Sequence, residues 1–152
     1  MRITNFCLVA GSARDTEALN AFDFALLDAG VGDYNHVKVS SILPPHTLKK
    51  TACTAPLGQP VYTAYGSRTS KKRGFVSASV AIGIPKAKDN IGMIMEFSGD
   101  CSKAEAESRV RNMVINSMAK RGIELEDIAS IAIEAESTAE EYTSVFAGVV
   151  MW

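Results

Sequence analysis

The chain has 152 residues, 47% of them hydrophobic and 22% charged, with a net charge of −1; that suits one domain with a sizeable core and excludes a disordered chain. Acids and bases are interspersed, so no basic stripe can track a phosphate backbone, and nucleic acid is excluded as a partner. No apolar run approaches the ~20 residues that cross a bilayer, and Cys7, Cys53 and Cys101 form no Cys-x-x-Cys pair, so we expect no membrane span and reduced thiols in a cytoplasmic compartment.

In chain order, Ile3 to Ala10 reads as a strand ended by Gly11-Ser12. Thr16 can cap a helix that runs to Ala29, with Gly30 as its stop signal. The apolar stripe of that helix is Leu19, Phe22, Leu26 and Leu27, and Asp23 falls inside it. Asn35 to Leu43 alternates as one strand, with Val37, Val39 and Ser41 on one face and His36, Lys38 and Ser40 on the other. Pro44-Pro45 ends it, because proline removes a ladder donor. Residues 46–59 read as a loop. Strands follow at Val61–Ser67, Phe75–Ile84 and Ile91–Phe97, with Lys71-Lys72-Arg73 as a solvated hairpin tip. Ser102 and Glu105 form a capping box for a second helix, whose spacing includes Ala106, Val110, Met113 and Val114 and which Gly122 closes. Ile128–Glu134 and Ser144–Met151 are the final strands. The order defines a single-domain layered sandwich, α/β or α+β, with mixed or antiparallel sheets flanked by helices.

Familiar catalytic signals are absent. There is no Gly-x-Gly-x-x-Gly, no Walker-type loop and no Gly-x-Ser-x-Gly, and His36 and His46 lack ligand-spaced partners, so no metal is expected. Three features stand out from folding alone. Ser40-Ser41 ends an apolar strand before two prolines; Asp23 interrupts an apolar helix stripe; Glu96 lies in the apolar strand Ile91–Phe97, where desolvation would raise its pKa and suit it to donate a proton.

In this order, the segments Leu8-Val9-Ala10-Gly11-Ser12, Leu19-Asn20-Ala21-Phe22-Asp23, Gly30-Val31-Gly32, Asn35, Ser40-Ser41-Ile42-Leu43-Pro44-Pro45, Thr63-Ala64-Tyr65-Gly66, Ile94-Met95-Glu96 and Cys101-Ser102-Lys103 closely resemble the pyruvoyl-dependent arginine decarboxylases. The resemblance implies a proenzyme that cleaves itself between Ser40 and Ser41 into 1–40 and 41–152. The Ser41 hydroxyl attacks the Ser40 carbonyl, the resulting ester is eliminated across Cα–Cβ, and the dehydroalanine loses ammonia to water, leaving a covalent pyruvoyl group. It further implies conversion of L-arginine to agmatine and CO2 without PLP or metal, with the pyruvoyl ketone taking the substrate amine and accepting electrons as CO2 leaves. Glu96 is implied as proton donor, Asn35 in processing, and Asp23 as the guanidinium-binding acid, with Gly32, Tyr34 and Ser40 also at the substrate. A homo-trimer with sites between subunits is implied as well. Spacing adds a constraint, since six strand residues put Asn35 ~20 Å from Ser41 at ~3.3 Å each, beyond reach within one chain unless the strand folds back. Two positions depart from the family pattern: Tyr34 replaces an aliphatic residue, and Ser98 stands where an acid is expected. Histidine or aspartate as the substrate, or an unprocessed non-catalytic trimeric paralogue, are the alternatives.

Overall fold

A computed structural model describes residues 2–152. Strand β1 (Asn5–Asp15) leads to helix α1 (Ala18–Asp28) and three short strands, β2 (Asn35–Lys38), β3 (Ile42–Leu43) and β4 (Leu48–Lys49). Long strands β5 (Pro60–Ser70), β6 (Gly74–Pro85) and β7 (Gly92–Gly99) precede helix α2 (Lys103–Lys120), and β8 (Leu125–Ser137) and β9 (Tyr142–Met151) close the chain. One sheet runs β2-β5-β9-β1-β4 and the other β3-β7-β6-β8. The second is antiparallel throughout; in the first, β2 and β4 join as parallel edges.

The sheets pack face to face, α1 covers the outside of the first and α2 the outside of the second, giving four layers and three apolar seams. Strand alternation builds them. On β9, Val145, Ala147, Val149 and Met151 fill the seam between sheets, while Phe146 and Val150 face α1. On β6, Val76, Val80 and Ile82 enter the same central seam, and Ala81 turns to α2. Both strands are buried on two faces, which is why they read as continuous apolar runs.

Several boundaries differ from the sequence reading for physical reasons. Gly11-Ser12 does not end β1, which stays paired with β9 as far as Asp15 opposite Tyr142. Gly11 instead lets α1 cross the sheet closely, because a Cβ there would collide with the Ala25 carbonyl oxygen and with Ala29. The cap position of α1 is Glu17, without a side-chain cap bond, rather than Thr16. Its buried face is Ala21, Ala25 and Leu26, small enough for that crossing, whereas Leu19 and Leu27 point outward at 77% and 48% exposure. The basic run 71–73 is an exposed turn, but it joins strands of different sheets and is no hairpin. Residues 46–59 hold one short strand, β4. The capping box of α2 is as expected, Ser102 Oγ accepting from the Glu105 N–H at 3.2 Å and the Glu105 carboxylate from the Ser102 N–H at 2.9 Å.

Candidate active site

The expected strand Asn35–Leu43 is in fact two strands in two sheets. Up to Lys38 it pairs with β5 in parallel, and the Val39 N–H still donates to the Thr63 carbonyl at 3.1 Å. From Ile42 it pairs with β7, and the Ser41 carbonyl accepts the Ile94 N–H at 2.7 Å. The Ser40–Ser41 peptide is therefore the rung by which the chain changes sheets, held on either side by a hydrogen bond to a different sheet.

Glu96 lies two residues beyond Ile94 on β7. Because the Ile94 N–H points off the sheet edge towards Ser41, strand periodicity turns the Glu96 N–H off the same edge, where β3 no longer runs. Its side chain shares the face of Ile94, which lines the seam between the sheets. Burial holds the Glu96 carboxyl above its ordinary value of 4.5, opposed by the Lys38 ammonium and by a hydrogen bond from the residue's own N–H. The sheets nearly touch here: a Cβ on Gly66 of β5 would lie 2.8 Å from the Phe97 carbonyl oxygen. Lys38 Nζ sits 4.4 Å from the centroid of the Tyr65 ring. The sequence reading singled out neither Lys38 nor Tyr65 as a site residue; the signal was there in the placement of Lys38 on the strand face of Ser40.

The other named residues lie elsewhere. Asp23 is exposed on the outer face of α1 with Leu19 and Leu27, so the stripe it interrupts faces outward instead of into the core. Among the described residues it makes no ion pair. Leu27, one turn on, covers Gly32, where a Cβ would meet Leu27 Cδ2 at 2.6 Å. Tyr34 donates its hydroxyl to the Cys53 carbonyl at 3.3 Å, and burial pushes its phenol above the usual value. Asn35 opens β2 opposite Pro60, its Nδ2 donating to the Gly58 carbonyl at 2.7 Å. The strand does not fold back, so Asn35 at its start and Ser41 beyond its end stay apart.

Both histidines have local partners. His36 Nε2 donates to the Val31 carbonyl at 2.8 Å and Nδ1 bonds the Thr63 hydroxyl at 2.8 Å, while His46 pairs with Asp89 at 2.9 Å on the surface. Among the described residues, no three His, Cys, Asp or Glu side chains are grouped to hold a metal ion, and no helix is long and apolar enough to cross a membrane. A cavity of about 480 Å³ lies under the strap from Leu43 to Lys49, floored by Phe6 and Ile84. A groove of about 610 Å³ runs along α2 beside Arg109. Neither is lined by Asp23, Ser40, Ser41 or Glu96.

Comparison with known proteins places the chain among the pyruvoyl-dependent carboxy-lyases. Residues 5–152 match the model of one such family, described as pyruvoyl-dependent arginine decarboxylase. The chain is 44% identical over 146 residues to the pyruvoyl-dependent arginine decarboxylase of Methanocaldococcus jannaschii, covering 95% of this chain and 87% of that one. The Methanococcus aeolicus protein of that name is also 44% identical, with the same coverage. That of Pyrococcus furiosus is 35% identical over 148 residues, covering 95% of this chain and 92% of the relative. The chain belongs to the pyruvoyl-dependent arginine decarboxylase family.

Proposed function

We propose that the chain cuts itself between Ser40 and Ser41, that Ser41 becomes the pyruvoyl group, and that the cleaved protein converts L-arginine to agmatine and CO2. The observation that carries this reading is the crossing peptide. Fixing Val39 to Thr63 and Ser41 to Ile94 restrains the backbone on both sides of the bond, the restraint that an intramolecular attack by the Ser41 hydroxyl needs. Pro44-Pro45 stiffens the chain just beyond. Cleavage leaves 1–40 ending at Ser40 and 41–152 beginning with the new group.

Once formed, the pyruvoyl group supplies a ketone for the substrate amine and a sink for the electrons released with CO2. Glu96 holds a proton for the former α-carbon: its half-buried carboxyl, raised above the ordinary range, keeps that proton at higher pH than a solvated glutamate would. Asp23, exposed and without an ion pair among the described residues, is suited to a guanidinium through two parallel charge-assisted bonds, with Gly32, Tyr34 and Ser40 also at the substrate. Since Asp23 faces outward and Asn35 lies at the far end of β2, both act on the Ser41 of a neighbouring subunit in a homo-trimer. The uncovered Leu19 and Leu27 beside Asp23 favour such packing. The three free thiols suit a reducing cytoplasm.

Intact-mass measurement of freshly purified protein tests the cleavage. Two pieces are expected, divided after Ser40, the larger having lost ammonia at its first residue; one uncut mass in an active preparation would overturn the assignment. Ser41→Ala should remain whole. Release of CO2 from arginine, histidine, aspartate and lysine checks the substrate, and Asp23→Asn should lower arginine kcat/KM roughly tenfold to a hundredfold, the worth of a charged hydrogen bond.

A further inference from the structure

We propose that His36 is a positioning residue for the substrate, its imidazole acting as a strut that fixes the Val31–Gly32 peptide against strand β5. The inference rests on the place at the substrate given to Gly32 above, and adds the side chain that holds Gly32 there.

The chain after α1 starts out well held and then loses its main-chain partners. Gly30 lies in the left-handed region at φ 77°, and the helix closes with the Gly30 N–H on the Leu27 carbonyl and the Val31 N–H on the Leu26 carbonyl, both at 2.9 Å. From there to Asn35 the chain has no sheet neighbour. Among the described residues, neither the N–H nor the carbonyl of Gly32 bonds within the chain, which leaves both open to a ligand. What fixes this stretch is the Val31 carbonyl, which accepts from His36 Nε2 at 2.8 Å. A trans peptide is planar, so holding that carbonyl also holds the Gly32 N–H on the opposite side, and with it the direction in which Gly32 is presented. Gly32 lies against Leu27, one helical turn from Asp23, so any change in its direction is a change relative to the acid.

The far side of the ring is held as firmly. Nδ1 bonds the hydroxyl of Thr63 at 2.8 Å, and Thr63 is fully buried in β5. The Phe146 ring stands edge-on to the imidazole, with centroids 6.2 Å apart and planes at 64°. Strand β2 is itself paired with β5, His36 opposite Val61. A carbonyl can only accept, so Nε2 carries hydrogen, and in the neutral ring the bare Nδ1 accepts from Thr63. One rigid plane thus joins a buried strand to an otherwise unbraced loop. Thr63 also accepts the Val39 N–H, but through its main-chain carbonyl, so the hold on the crossing peptide does not need the imidazole.

The test uses the cleaved protein, with turnover counted per pyruvoyl group trapped by phenylhydrazine. His36→Leu keeps bulk against Phe146 and removes both bonds. It should divide after Ser40 as the parent does, keep kcat within about twofold and raise the arginine KM roughly threefold to tenfold, the range of one hydrogen bond. His36→Gln, whose amide can donate to Val31, should bring KM back towards the parent. Thr63→Val should raise KM by itself and add nothing to His36→Leu, because it acts through the ring. The Gly32 amide signal in a ¹⁵N spectrum of the substrate-free protein should move with His36→Leu and return with His36→Gln. An unmoved KM overturns the inference: a Gly32 signal that shifts all the same traces the fault to the substrate role given to Gly32, and one that stays traces it to the strut. A lower thermal midpoint and pyruvoyl content with KM unchanged would mark a role in folding alone, and overturns it too.

Discussion

Glu96 combines two opposing demands on one carboxyl. In the role proposed for it, it must be desolvated enough to keep its proton, yet near enough to charge and to an edge amide to exchange it. Burial is the larger influence and Lys38 the smaller, so the midpoint stays above 4.5. If protonated Glu96 delivers the proton, kcat is full below that midpoint and falls as pH rises through it. Glu96→Gln should still cleave but lose about a hundredfold or more in kcat, the usual worth of a general acid; a normal rate would exclude it. The same carboxyl has a stability signature. Its folded value is raised, so its contribution to folding is complete below the unfolded value and disappears as pH rises through the folded one. Glu96→Gln should flatten the pH dependence of urea unfolding in that window. Cys7 shows what burial does to a group outside the chemistry. Burial first, and then the neighbouring Cys53, push its thiol up to about 12, so it should react with a thiol reagent only after unfolding, and labelling in the native protein would contradict its packing. In the sequence, a carboxyl in the apolar run Ile91–Phe97 already implied a raised value. Lys38 shares a strand face with Ser40 in the sequence, but its influence on Glu96 was not legible, because the packing of β5 against β7 is non-local.

At the scale of elements, local chemistry was readable and partner choice was not. The capping box of α2 needs only Ser102 and Glu105, three residues apart, and it forms as read. Ser102→Ala should lower unfolding stability by about 1 kcal/mol in denaturant titration; an unchanged midpoint would mean that this end of the helix is held by packing instead. The alternation of Asn35–Leu43, by contrast, is the same whether the strand keeps one neighbour or exchanges β5 for β7 at the serine pair, so the division into β2 and β3 left no mark on the pattern. Helix α1 misled for another reason. Its leucines look like core, but Gly11 brings the backbone of Ala25 and Ala29 against β1, and of the leucines only Leu26 is buried while Leu19 and Leu27 are turned outward. Gly11→Ala should therefore be costly, about 2–3 kcal/mol, since the obstacle is backbone and cannot rotate away. A variant as stable as the parent would show that α1 can lift without penalty.

For the molecule as a whole, the position of the proposed cut decides what becomes of the pieces. It falls between β2 and β3, so the first sheet is shared: 1–40 supplies β1 and β2, and 41–152 supplies β4, β5 and β9. Strand β1 is internal, flanked by β4 and β9, and it pairs with β9 from Phe6 opposite Met151 to Asp15 opposite Tyr142. Phe6 is buried in the central seam, Cys7 and Val9 under α1, and α1 itself belongs to the smaller piece. To leave, residues 1–40 would have to break a full ladder and expose two apolar seams at once. The pieces should therefore elute together from a sizing column in native buffer and separate only in denaturant. Cutting does change the molecularity of unfolding, because each protomer then releases two chains where it had released one. The thermal midpoint of the cleaved protein should rise more steeply with protein concentration than that of Ser41→Ala, which loses one chain per protomer. Equal slopes, or a small piece that elutes alone without denaturant, would show that β1 is not the lock its place in the sheet makes it.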